Sequence, residues 1–139
     1  MFQQERLGLR EAERARDAIL AAVTPTDSPI ALAIADEHGV PILLLRQDAA
    51  PARMLSRARS KAYTAANLGL DTAVFRDEHV KATHRTLNDW GDPMITTLQG
   101  GIAIRVNGRV VGGIAMSGNT TIRDEALARI GLDAMQVPA

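Results

Sequence analysis

The chain has 139 residues, with 16 Lys and Arg against 16 Asp and Glu, no Cys, 46% hydrophobic residues and 3% aromatic ones. That length suits one domain, residues 1–139, whose core needs no disulfide or metal, and the lack of Cys excludes thiol nucleophiles, thiol redox pairs and Cys-type zinc sites. A formal charge of zero argues against nucleic acid as a partner; no apolar run is long enough to span a membrane, and residues 1–16 lack the apolar core of a signal peptide, so the expected compartment is the cytoplasm.

Residues 7–23 set Ala12, Ala15, Ala18, Ile19, Ala22 and Val23 between charged residues at the spacing of a half-buried helix, which Thr24 and Pro25 stop. Residues 30–35 are apolar throughout, Asp36-Glu37-His38-Gly39 breaks the run, and residues 40–45 are apolar again up to Arg46, a pattern that predicts a hairpin. Neither strand alternates polar with apolar residues. Both faces are therefore expected to be covered, by helices on both sides of the sheet or by a second copy of the chain. Residues 51–68 read as a second helix and residues 71–88 as a third, interrupted near Arg76. A meander follows: residues 95–98, the Gly100-Gly101 pair, residues 102–106, an Asn107-Gly108 turn and residues 110–116. Asn-Gly between β-rich runs is a strong hairpin signal, because both turn residues take positive φ. A last helix starts near Thr121, with Asp124 as capping partner and Gly131 at the expected carboxyl-terminal cap. The order α-β-β-α-α-β-β-β-α is an α+β fold, a single antiparallel sheet flanked by helices on both sides.

Within the second helix, a turn of about 100° per residue puts Met54, Ala58, Ala65 and Leu68 on one stripe with Lys61 in its middle. Lys61 either lays its stem along the apolar face with its ammonium in water, or ends in a polar pocket with Asp36, Asp124 or a ligand carboxylate as partner. An apolar side chain of similar length would pack there as well, so replacing Lys61 with Met is expected to cost function and little stability. Arg53 and Arg57 flank Lys61 and Arg46 ends the preceding strand, either as a rim that attracts anions or as a solvated charged face.

The run Ser117-Gly118-Asn119-Thr120-Thr121 joins the last strand to the last helix. Free N–H groups and the positive end of the helix dipole suit an anion there; an ordinary capped helix start carries the same residue types. The run departs from the Gly-x-Ser-x-Gly form of a nucleophile elbow. The pairs Gly100-Gly101 and Gly112-Gly113 lie in adjacent strands, as bulges or as places where a backbone or ligand presses close. His79 and His84 are five residues apart, which misses the spacing that sets two imidazoles on one helical face, so no metal site is expected. His84 shares a stripe with Val80 and Leu87 and is expected to face inward.

The strand ending in Asp36 with Gly39 after it, Arg46, the Ser60-Lys61-Ala62-Tyr63-Thr64-Ala65 stretch, Gly100-Gly101-Ile102-Ala103-Ile104, and Gly112-Gly113-Ile114-Ala115-Met116-Ser117-Gly118 followed by Asp124-Glu125 form an ordered set. Together they resemble the GlcG/HbpS-like family, the haem-degrading domain family related to the carboxyl-terminal domain of PduO-type proteins. The resemblance covers residues 7–132 and departs from the commoner pattern at Ala103, where many relatives carry Pro, and at Ala115, where Gly is usual. It implies a profilin-like α/β sandwich assembled as a dimer, tetramer or octamer. With the compartment read from the amino terminus, the leading expectation is a cytoplasmic homo-oligomer that binds a small molecule, haem or another anionic metabolite, in a family-type pocket near Lys61, Arg46, Gly100, Gly101, Ser117, Gly118 and Asp124. Two other functions stand beside that one. The first is an isomerase- or lyase-type enzyme doing acid–base chemistry on a small carbonyl or carboxylate compound, with Lys61 or His84 moving the proton and the Ser117-Gly118 turn holding the anion. The second is an assembly partner of a catabolic enzyme.

Overall fold

The computed structural model describes residues 1–138. In Ile30-Ala31-Leu32-Ala33-Ile34-Ala35 the alternation is of size and not of polarity, and the two-residue period of a strand sorts large and small side chains onto opposite faces. β1 (Ala31–Asp36) pairs antiparallel with β2 (Pro41–Arg46) and with β4 (Arg109–Ser117), and β4 pairs with β3 (Gly101–Val106). The sheet order is β2-β1-β4-β3. On the large face, Leu32, Ile34, Ile102, Ile104, Ile114 and Met116 pack with Ala12, Ala15 and Ile19 of α1 (Leu9–Ala22) and Leu127 and Ala128 of α4 (Thr121–Ala134). On the small face, Ala31, Ala33, Ala35 and Ala115 meet Met54, Ala58 and Ala62 of α2 (Ala52–Leu68).

The small face lets α2 lie against the sheet backbone. A Cβ on Gly113 would stand 2.3 Å from the Ala62 carbonyl oxygen, and one on Gly101 would stand 2.6 Å from the Lys61 carbonyl oxygen. These two glycines therefore mark helix-to-sheet contact, while the β3–β4 pairing shifts register farther along, between Ile104 and Arg105. β1 is covered on both faces by its own chain, so its apolar run does not call for a second copy. β2 is an edge strand and only half covered, with Leu44 exposed.

Three elements differ from expectation. Residues 95–98 form no strand, because their backbone is satisfied beside α2: Thr96 N–H donates to Thr64 Oγ1 at 3.0 Å and Leu98 N–H to Thr96 Oγ1 at 3.2 Å. The outer edge of β3 is met by side chains instead, with Gly101 N–H donating to Thr72 Oγ1 and Ala103 N–H to Asp71 Oδ1. The third helix is short, since α3 (Thr72–Val74) runs into a π-helical segment (Phe75–Lys81), and a 3-10 turn (Leu87–Trp90) closes the region. Phe75 is buried against the edge of Trp90, with 4.9 Å between ring centroids. Finally, α4 continues through Gly131, which is no cap. A Cβ there would stand 2.6 Å from Ile19 Cδ1 and 2.9 Å from Ile114 Cδ1, so the glycine leaves room for these two core side chains.

Replacing Gly113 with Ala forces a methyl into the α2 main chain. The expected cost is that of core overpacking, about 1–3 kcal/mol, seen as a lower midpoint in urea denaturation. An unchanged midpoint would show that α2 is free to lift from the sheet.

Candidate functional site

The close seat of α2 carries Lys61 to the end of β4. Its Nζ donates to the Met116 carbonyl oxygen at 2.8 Å and stands 3.4 Å from Asp124 Oδ2, and both residues are only 2% exposed. Of the two side chains open to Lys61 as partners, Asp124 is the one in place. Asp36 instead accepts the His38 and Val40 N–H groups in the β1–β2 turn. Burial pushes the Lys61 ammonium below its ordinary pKa, with Asp124 opposing the shift. Burial likewise raises Asp124, against the pull of Lys61 and of the Asn119 N–H that donates to its other oxygen at 3.0 Å. Gly100, at φ +130°, lies against this pair; a Cβ there would stand 2.9 Å from Nζ.

Around the pair opens a cleft of about 390 Å³. Its floor is the buried Lys61, Asp124, Ser117 and Met54; the Gly118–Asn119 turn with Thr121 forms one wall, and the start of α2 with the exposed Arg53 and Arg57 also lines it. The turn is held from outside. Ser28 N–H donates to Asn119 Oδ1 at 2.8 Å, and Arg123 pairs with Asp27 at 2.9 Å, which keeps the Asp27 carboxyl well below the usual carboxylate range. Gly118, at φ +130°, leaves no room for a side chain, since a Cβ would meet the Pro29 carbonyl oxygen at 2.5 Å. The cap of α4 is Thr120, whose Oγ1 accepts from Arg123 N–H, while Asp124 turns back to Asn119. Ser117 Oγ is buried and donates only to the thioether of Met54, at 3.6 Å. Arg53 and Arg57 are exposed, and among the described residues neither is held in an ion pair.

Lys61, Ser117, Gly118 and Asp124 thus share one cleft, with Gly100 against its floor. Gly101, the next residue, is covered by the α2 backbone and serves packing. Arg46 lies elsewhere, beside a separate shallow groove with Leu20 and Gln47, where its guanidinium donates to the Ala50 carbonyl oxygen at 2.8 Å. His84 is exposed, sits at φ +57° and does not line the cleft. Its inward stripe assumed α-helical rotation, whereas the π-helical segment before it closes wider turns and breaks the alignment with Val80 and Leu87. Asn119 and Thr121, members of the Ser117–Thr121 run noted in the sequence, line the cleft as well, and so does Leu98, which nothing in the sequence singles out.

The fold and the cleft define the class: a four-stranded antiparallel α+β sandwich with a polar cleft where the end of the sheet meets helices from both layers. The chain belongs to the HbpS-like family, whose description is haem degrading protein HbpS-like and which matches residues 7–133. A 15.0 kDa uncharacterized protein in the dhaT-dhaS intergenic region of Citrobacter freundii is 29% identical over 126 residues, 90% of this chain and 89% of that one. HbpS of Streptomyces reticuli, in a double-mutant form, is 28% identical with a TM-score of 0.83, covering 96% of this chain and 89% of its own. Klebsiella pneumoniae protein ORFY has a TM-score of 0.86 at 23% identity, over 99% and 97% of the two chains. The PduOC:haem complex has a TM-score of 0.84 at 23% identity, over 96% and 97%. These last two likenesses show the shared fold.

The buried partner changes what is expected of Lys61→Met. Removing the ammonium alone strands the Asp124 carboxylate and the Met116 carbonyl, at an expected loss of about 3–5 kcal/mol and not the small change foreseen from the helix stripe. Pairing it with Asp124→Asn, which keeps an acceptor for Asn119 N–H, is expected to recover most of that loss. Chemical denaturation of the single and double variants checks both statements, and equal losses in the two would show that the pair is not coupled.

Proposed function

We propose that the protein is a cytoplasmic, homo-oligomeric small-molecule-binding protein of the HbpS-like family that takes a small anionic metabolite in the cleft. The observation that carries this reading is the charge around the cleft: Arg53, Arg57 and Lys61 against the single carboxylate of Asp124. Two unpaired guanidinium groups at the mouth match a carboxylate or phosphate in charge and in geometry. Family membership and the haem-bound PduOC relative support a ligand-binding role and raise haem as the candidate.

The residues fit haem poorly. No histidine among the described residues lines the cleft, and its volume is near the low end of ligand sites, a match for a small metabolite. The chain also has too few aromatic residues to build an aromatic slot. The acid–base reading loses His84 as a partner for Lys61, because His84 does not line the cleft. For assembly, the half-covered β2 edge with exposed Leu44 and Val40 supplies an apolar surface for a second copy.

Calorimetric titration with small carboxylates and phosphates is expected to find a binder whose affinity falls about tenfold or more in Arg53→Ala/Arg57→Ala, the equivalent of about 1.4 kcal/mol. Unchanged affinity in that variant would move the anion elsewhere. Hemin titration is expected to give weak, high-spin-like spectra, and a sharp one-to-one bis-histidine spectrum would overturn the preference for a small metabolite. Light scattering at micromolar concentration is expected to return a multiple of the chain mass, and a single-chain mass across dilution would remove the oligomer.

A further inference from the structure

The chain carries fourteen Arg and two Lys, Lys61 and Lys81. Arginine is the usual cation of a buried ion pair, because its planar fork matches a carboxylate and it does not give up its proton. Here every arginine keeps part of its surface in water, and the one fully buried cation is a lysine. What lysine offers instead is a compact amine that can lose its proton and act as a nucleophile.

The surroundings of Nζ supply the rest of a reaction site. Of its three N–H donors, one goes to the Met116 carbonyl oxygen and one faces Asp124 Oδ2, which leaves the third without a partner among the described residues. Lys61 and Asp124 both line the cleft, so a molecule there meets an amine and a proton acceptor side by side. Ser117 Oγ, buried on the same floor with only a thioether as partner, is available to a ligand oxygen. Arg53 and Arg57 stand at the mouth. We infer that Lys61 forms a covalent imine with a small aldehyde or ketone that carries an anionic group, the anion being held by Arg53 and Arg57. The anchor rests on the anion-binding reading above; the chemistry at Lys61 does not.

The step balances within the site. The Lys61 ammonium gives one proton to Asp124, and the freed Nζ lone pair attacks the carbonyl carbon. The C–N bond forms as the carbonyl oxygen takes a proton from nitrogen, giving a carbinolamine. Asp124 then returns its proton to the departing hydroxyl, which leaves as water, and a protonated C=N bond remains. Nothing is oxidised or reduced. Burial eases the first transfer from both sides, since it lowers the pKa of the amine and raises that of the carboxyl.

The test uses the whole chain incubated with pyruvate and cyanoborohydride, which reduces an imine to a stable secondary amine, followed by peptide mass mapping. The exposed Lys81 and the terminal amine serve as internal references for surface reactivity. The expected result is a Lys61 adduct in excess over both references, and its loss in Lys61→Arg, which keeps the charge beside Asp124. Acetone, which has the carbonyl but no charge, is expected to label Lys61 less than pyruvate does, and Arg53→Ala/Arg57→Ala is expected to remove that difference. Adducts confined to Lys81 and the terminus overturn the imine, and this holds for the unaltered protein whether or not Lys61→Arg folds. Such a result, with calorimetric anion binding intact, would leave the anion-binding reading standing. Equal labelling of Lys61 by pyruvate and acetone would overturn the anchor assigned to the two arginines.

Discussion

A helix whose main-chain oxygens occupy the space where Cβ atoms would project from Gly101 and Gly113 can be seated only on strands stripped of side-chain volume. That constraint selects alanine and glycine along one face of β1, β3 and β4, and it determines how far along the sheet each residue of α2 reaches. Lys61 is carried to the last residues of β4, where its side chain extends past the sheet to the start of a helix on the other face. The ammonium thus joins the two layers at one point, through Met116 and Asp124. The cleft lies where this junction leaves the end of the sheet uncovered.

A buried pair of this kind is a poor source of stability, because desolvating two charges offsets most of their attraction. Its value lies in what it holds. The Asp124 carboxylate fixes the Asn119 backbone with one oxygen and meets Lys61 with the other, so the turn forming one wall of the cleft and the amine on its floor are placed by the same side chain. The ties of Asn119 to Ser28 and of Arg123 to Asp27 brace that wall from the loop before β1.

Much of this was legible where the chemistry is local. The Asn107-Gly108 turn has positive φ at both residues, α2 ends at Gly69 in the left-handed region, and Lys61 stood out as a charge on an apolar stripe. The size alternation in residues 30–35 was also on view, but a search for polar against apolar periodicity passes over it, which is why β1 looked in need of an outside cover. Residues 71–90 were not legible, since a π-helical segment leaves no helical period and its course depends on Phe75 meeting Trp90, fifteen residues on. Residues 95–98 have strand-like composition, yet the hydroxyl of Thr64 holds their backbone away from the sheet. The effect of losing Lys61 is not legible in the helix stripe alone, because it depends on which carboxylate is left behind.

The sorting of side chains by size also gives the two faces of one strand different tolerances to change. Leu32 and Ile34 belong to a layer of branched and flexible side chains, where a swap of similar volume costs less than about 1.5 kcal/mol because neighbours can rotate to fill the gap. Ala33 and Ala35, between and beside them, pack in a layer with Ala58 and Ala62 of α2, side chains that have no rotamer to offer. An added methyl on one side is absorbed by repacking. On the other it displaces α2 as a body, so random variation in this strand would be filtered by volume at every second residue.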